Sequence, residues 1–157
     1  HGGGVAVHTE GGTQFRLVLP LSQSPLLAVD DTEPFGNGRR VLFADDDAQL
    51  RMQLEDWLAE LGFEPVGCSD GQQALSTVIA SPGHFDLLLV DQDMMFIAGD
   101  ALLTRAGTIA PGMPAILCSG GTNLAARAQA IGAVALSKPI TRAALACALR
   151  NALQEKQ

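Results

Sequence analysis

The sequence predicts an α/β fold in which a five-stranded parallel sheet carries helices on both faces, with a separate β-hairpin ahead of it. Three observations carry this reading. Strand-like apolar runs at 40 to 44, 63 to 67, 85 to 90, 114 to 118 and 133 to 137 alternate with stretches of helical period. Such alternation requires parallel pairing through right-handed crossovers, hence a sheet between two helical layers. Two of the runs are also near-continuously apolar, as strands covered on both faces are, and both stop at acids. Val41-Leu42-Phe43-Ala44 ends at Asp45-Asp46-Asp47, and Phe85-Asp86-Leu87-Leu88-Leu89-Val90 ends at Asp91.

Taken in chain order, residues 4 to 20 read as strand, Gly-containing turn and strand, which makes a hairpin. An isolated hairpin is marginal in water, so this one needs another sheet or a second molecule to pack on. Residues 21 to 38 are rich in Ser, Pro, Gly, Asn and acids without a sustained period, as a linker is. In the first helix, Leu50, Leu54, Trp57, Leu58 and Leu61 recur at three- and four-residue spacing, and Gly62 closes it as a glycine past a helix end does. Asp70 is placed to cap the second helix. The last helix, from about Thr141 to Leu153, carries Leu145 and Leu149 on one face.

The 157 residues have room for one ordinary domain and some extra, and a hydrophobic content of 47% supports a core. No apolar stretch approaches the roughly 18 residues of a membrane span, and no basic and then apolar leader is present, so neither membrane contact nor export is expected of this piece. A net charge of −7 gives a nucleic-acid surface no support. Cys68, Cys118 and Cys147 lack metal-type spacing and read as buried thiols, and His8 and His84 are isolated. Met94, Met95 and Phe96 read as loop residues packing on the layer beneath them.

Ligands of parallel sheets gather beyond the carboxyl ends of the strands, so Asp45, Asp46 and Asp91 converge on one site. Like charges about 4 Å apart repel by roughly 4 kcal/mol at an effective dielectric of 20, and the cluster therefore calls for a cation, with Mg2+ the natural match to hard oxygen ligands. Asp47 reads as the cap of the first helix. Ser119 follows the fourth run and Lys138-Pro139 the fifth, on the same rim. A carboxylate nucleophile, a divalent ion, and hydroxyl and ammonium donors form a set suited to phosphoryl transfer. A Gly-rich phosphate loop followed by Lys-Ser/Thr is absent, which argues against nucleotide hydrolysis of that type.

From Arg39 to Leu153, through VLFADDD, DLLLVDQDMM with Gly99, ILCSG and LSKP, the chain resembles the response-regulator receiver domain. The resemblance implies a flavodoxin-like sheet in the order 2-1-3-4-5. It implies Asp91 as the aspartate phosphorylated by a phosphohistidine donor, and Asp45 and Asp46 as the Mg2+-binding pair, with Asp91 and the backbone carbonyl of Asp93 completing the protein's ligands. Ser119 is then the switch hydroxyl and Lys138 the phosphoryl-contacting lysine. Residues 1 to 20, through Gly12-Thr13-Gln14-Phe15, are similar to the closing strands of a histidine-kinase ATPase domain. The layout expected is that of a hybrid histidine kinase: the end of the ATPase domain at 1–20, a linker at 21–38 and a receiver at 39–157. Such a piece accepts and hydrolyses its own phosphoryl group but lacks the kinase core. Its expected partners are a phosphohistidine domain or a histidine phosphotransfer protein, its expected location is the cytoplasm, and its hairpin offers a route to a dimer.

The sequence departs from that family at Met95, where a proline is usual, at Ala98, where an acid is usual, and at Ala135, where a large residue is common. Asp93 adds a further carboxylate near the site. Two other functions compete. Asp91-Gln92-Asp93 imitates the Asp-x-Asp of haloacid-dehalogenase-type phosphatases, but there the nucleophile strand comes first and the metal acids late, the reverse of this chain. The second is a receiver-like scaffold that is never phosphorylated, against which the retention of all five site residues argues.

Overall fold

The structure is a computed structural model that describes residues 4–8, 14–18 and 33–154. Strands β1 (Gly4–His8) and β2 (Gln14–Val18) pair antiparallel, with Gly4 opposite Val18 and His8 opposite Gln14. The two strands expected of the hairpin are thus present, while the turn between them, the segment from 19 to 32 and the three C-terminal residues lie outside the described residues.

Five further strands form one parallel sheet: β3 (Arg40–Ala44), β4 (Glu64–Cys68), β5 (Leu87–Asp91), β6 (Ala115–Ser119) and β7 (Val134–Ser137). Their spatial order is β4-β3-β5-β6-β7, which is the expected 2-1-3-4-5. Helices α1 (Ala48–Glu60), α2 (Gly71–Ala80), α3 (Gly99–Ile109) and α4 (Leu124–Ala130) fill the four crossovers, and α5 (Arg142–Gln154) follows the last strand. Among the described residues, no helix is long and apolar enough to cross a membrane.

Side chains alternate across each strand, so the central strands feed two cores. One joins Val41, Phe43, Leu87, Leu89 and Ile116 to Leu54 and Leu58 of α1 and to Leu145 and Leu149 of α5. The other joins Leu42, Leu88, Val90 and Leu117 to Val78 of α2, Leu102 of α3 and Leu124 of α4. Full burial of one such side chain contributes about 2 kcal/mol. The central β5 is buried throughout, whereas β4 is an edge strand, where Pro65 withholds no needed donor. Gly67 on that edge makes room for the Phe43 ring, since a Cβ there would lie 2.9 Å from Phe43 Cζ.

Local signals end the helices as read. Asp47 Oδ1 accepts from the Gln49 and Leu50 amides at 2.8 and 3.2 Å, and Asp70 Oδ1 accepts from Gln73 at 2.8 Å. Gly62 follows α1 at φ +85°, a left-handed position that glycine takes at little cost. Packing begins before the sheet does. The amides of Phe35 and Gly36 both donate to the Leu61 carbonyl, at 2.9 and 2.8 Å, and the Phe35 ring meets Phe63 edge-on with centroids 5.3 Å apart.

Two expectations about packing need correction. Cys68 and Cys118 are buried, but Cys147 is exposed. The inward stripe of α5 runs through Leu145, Ala148, Leu149 and Ala152, and position 147 turns away from it. Met94 packs into the second core, yet Met95 and Phe96 are 65% and 78% exposed. Phe96 sits at φ +67°, which directs the loop outward before Gly99 opens α3.

Gly99 lies against the strand that bears the site: a Cβ there would strike the Asp91 carbonyl oxygen and sit 2.9 Å from Leu117 Cδ1. Gly99→Ala is expected to lower unfolding stability by about 1–3 kcal/mol, the range for overpacking a tight site, in urea titration. A midpoint equal to wild type would contradict this close fit.

Candidate functional site

Parallel pairing places the strand ends side by side. Ala44 pairs with Val90, Asp91 with Cys118 and Ser119 with Ser137, so Asp45, Asp91, Ser119 and Lys138 emerge together on one rim. The structure brings together the residues the sequence singled out. Lys138 Nζ lies 2.8 Å from Asp45 Oδ2 and 3.0 Å from Asp91 Oδ1. The acids are almost wholly buried, at 1% and 3% exposure, and the lysine is half-buried. Asp46 is exposed at the mouth, and one carboxylate oxygen from each of Asp45, Asp46 and Asp91 falls within 4.8 Å of the others.

Asp45 is held from two further sides. Its Oδ1 accepts from the Asp47 amide at 2.9 Å, and its backbone carbonyl accepts from Arg51 Nη1 at 2.7 Å. Ser119 Oγ accepts from the Gly121 amide at 3.0 Å and donates to Asp93 Oδ2 at 3.3 Å, the second a long bond for a hydroxyl donor. Asp93 is therefore turned toward the Ser119 hydroxyl, on the exposed side of the site.

Burial raises the pKa of Asp91 above the ordinary 3.8; Lys138 opposes that rise by contact and by charge, and Asp45 and Asp93 add to it. Burial alone would depress the Lys138 ammonium, but contacts with Asp45 and Asp91 outweigh it and hold the pKa above the usual lysine value. Burial, reinforced by the charge on Asp91, keeps the Cys118 thiol protonated behind the site. Lys138 stands close to Asp91 Oδ1 but off a good hydrogen-bonding line, so that this buried oxygen accepts no hydrogen bond. A buried carboxylate oxygen without a donor, beside two more acids, fits a small hard divalent cation such as Mg2+.

Two supporting residues escaped the sequence reading. Gln92, 5% exposed, accepts from the Asp100 amide through Oε1 at 3.2 Å and from the Gly99 amide through its carbonyl at 3.1 Å. It serves as the cap that Ala98 cannot supply to α3 and so ties that helix to the residue after Asp91. Ala98 at a helix start was the available signal, since a helix without its own cap borrows one. Arg51 carries no comparable signal, because its contact with Asp45 depends on how α1 lies against β3.

Such a fold and rim define the class of α/β domains that carry an acidic site at the carboxyl ends of a parallel sheet. Residues 41–150 match the family model of the response regulator receiver domain. The chain belongs to that family and is a receiver domain of two-component signalling. It is 32% identical over 87 residues to the two-component response regulator ARR14 of Arabidopsis thaliana, a match covering 55% of this chain and 23% of that protein. It is 44% identical over 57 residues to the transcriptional regulatory protein PdtaR of Mycobacterium tuberculosis, covering 36% of this chain and 27% of that protein. The chain thus spans about a quarter of these relatives' length. A receiver domain protein of Clostridium thermocellum superimposes with a TM-score of 0.70 at 26% identity, covering 75% of this chain and 96% of that one. The signal receiver domain of an HD domain-containing protein from Pseudomonas fluorescens Pf-5 does so at 0.66 and 26%, covering 77% and 90%.

The raised pKa of Asp91 has a testable consequence in metal-free solution. Because the folded value exceeds the unfolded one, protonation favours the folded state: the stabilisation is fully present below pH 3.8 and is lost as pH rises through the elevated value. Wild type is therefore expected to lose stability relative to Asp91→Asn as pH rises through that window, and to regain it at neutral pH on adding Mg2+. Urea titrations across pH measure the difference, and parallel profiles for the two proteins would rule it out.

Proposed function

We propose that Asp91 accepts a phosphoryl group from a phosphohistidine in a Mg2+-dependent transfer and later releases it to water. The observation that carries this reading is the Lys138 ammonium set between Asp45 and Asp91, at 2.8 and 3.0 Å, beside the three-carboxylate cluster. An Asp91 carboxylate oxygen attacks phosphorus, the P–N bond breaks, and its electrons stay on the imidazole, which takes a proton. The product is an acyl phosphate on Asp91. Lys138 and the Ser119 hydroxyl are placed to meet equatorial phosphoryl oxygens. Asp45, Asp46, Asp91 and the backbone carbonyl of Asp93 would hold the Mg2+, which when bound supplies charge neutralisation.

The donor is then a histidine-kinase phosphohistidine domain or a histidine phosphotransfer protein, and the setting is cytoplasmic. The residues at 1–20 support a hybrid-kinase origin through Gly12-Thr13-Gln14-Phe15 and the antiparallel pairing of β1 with β2, with a linker at 21–38 and the receiver at 39–157. The outer edges of β1 and β2, unpaired among the described residues, favour self-association. Solution scattering over a concentration series should then show doubling of mass that deletion of residues 1–20 removes; a monomer retaining a folded hairpin would contradict it.

Incubation with Mg2+ and acetyl phosphate tests the central reading. Intact mass should show one phosphoryl adduct, absent without Mg2+ and in Asp91→Asn. Steady turnover of phosphate esters would instead favour the haloacid-dehalogenase-type reading, and neither adduct nor turnover would favour a scaffold. In the same assay, Asp93→Asn is expected to alter the adduct's half-life, because Asp93 places a carboxylate against Ser119; an unchanged half-life would remove that role.

A further inference from the structure

Beside Ser119, on the flank away from Asp45, lies an open hollow of about 260 Å³ whose lining includes Asp93, Ser119 and Arg127 of α4. Arg127 is exposed, and among the described residues its guanidinium takes part in none of the ion pairs. It occupies the last turn of α4, where a cation suits the helix dipole. Resting on the reading of Asp91 as phosphoacceptor, we propose that Asp93 and Arg127 form a phosphorylation-dependent ion pair, which carries the state of Asp91 to α4.

Proton counting and charge both lead there. The Ser119 hydroxyl has one proton, now directed to Asp93 Oδ2 at 3.3 Å, while its oxygen accepts from Gly121. A phosphoryl group on Asp91 offers a stronger, charged acceptor to the same proton. Ser119 cannot donate to both, so Asp93 loses its partner. The acyl phosphate carries about two negative charges where the Asp91 carboxylate carried one, and it extends them outward, which repels the Asp93 carboxylate. Arg127 is the cation lining that hollow, and the exposed Asp93 side chain is free to turn toward it. The neighbouring strand offers no competing route. On β7, Ser137 pairs opposite Ser119 and Ala135 is a small exposed side chain, so neither has bulk to follow the hydroxyl's movement. Phosphorylation therefore draws the carboxylate after Asp91 toward the end of α4, and the α4 surface changes with it.

The test uses the full chain, with Mg2+ and acetyl phosphate as the probe and intact mass to measure adduct in every sample. Arg127 Nε–Hε is followed by NMR, and α4 amides from 124 to 130 by hydrogen exchange. Phosphorylated wild type should show a shifted Arg127 resonance and α4 exchange slowed about two- to fivefold, the size of effect an exposed ion pair exerts. Arg127→Gln should form the adduct to the same extent yet lose the slowing, and Arg127→Lys should recover part of it. An adduct with unchanged Arg127 and α4 signals would overturn the proposal and leave the phosphoacceptor reading standing, as would full slowing in Arg127→Gln. Failure to form any adduct would overturn the phosphoacceptor reading, and the ion pair with it.

Discussion

The bridge from Asp45 through Lys138 to Asp91 is the interaction on which the site depends. Two carboxylates this buried repel each other and pay for lost hydration, and each needs a countercharge before the strand ends can close together. Lys138 supplies one ammonium to both. It fully engages Asp45 and only approaches Asp91, whose Oδ1 is left without a hydrogen bond. The asymmetry separates their roles: Asp45 is anchored by Lys138, by the Asp47 amide and through its backbone by Arg51, while Asp91 retains an oxygen available to new partners.

The rest of the fold holds that bridge in register. Lys138 and Asp45 are far apart in sequence and meet because β7 and β3 stand in one sheet with β5 and β6 between them. The two apolar layers keep the sheet fixed, so the rim geometry rests on leucines and valines distant from any charge. Gly99 and Gln92 extend the same constraint to α3. The first removes a side chain that would push on Asp91, and the second ties the helix start to the residue after it.

Much of this was legible in the sequence because its signals are local. The site residues stand at or just past the ends of strand-like runs, and parallel strands bring their carboxyl ends to one edge whatever the details of packing. Asp47, Gly62 and Asp70 announced helix ends because capping uses neighbouring backbone groups. The failures share a different cause. Cys147 was expected inside since its neighbours are small and apolar, but a helix face is chosen by what packs against it. Phe96 was expected to pack because it is large and apolar, and a left-handed backbone turned it outward.

The sequence by itself determined the order of strands and helices, the sheet that order implies, and which acids, hydroxyl and lysine stand at its carboxyl edge. These follow from periodicity and from short-range backbone chemistry. Only the tertiary structure decided how the charges are shared: that Lys138 bridges Asp45 and Asp91, that Asp93 meets Ser119 beside a hollow that Arg127 also lines, and that Gln92 caps α3. Those arrangements depend on distances of a few ångströms between residues from different strands and helices. Packing sets such distances, and no local pattern in the chain encodes them.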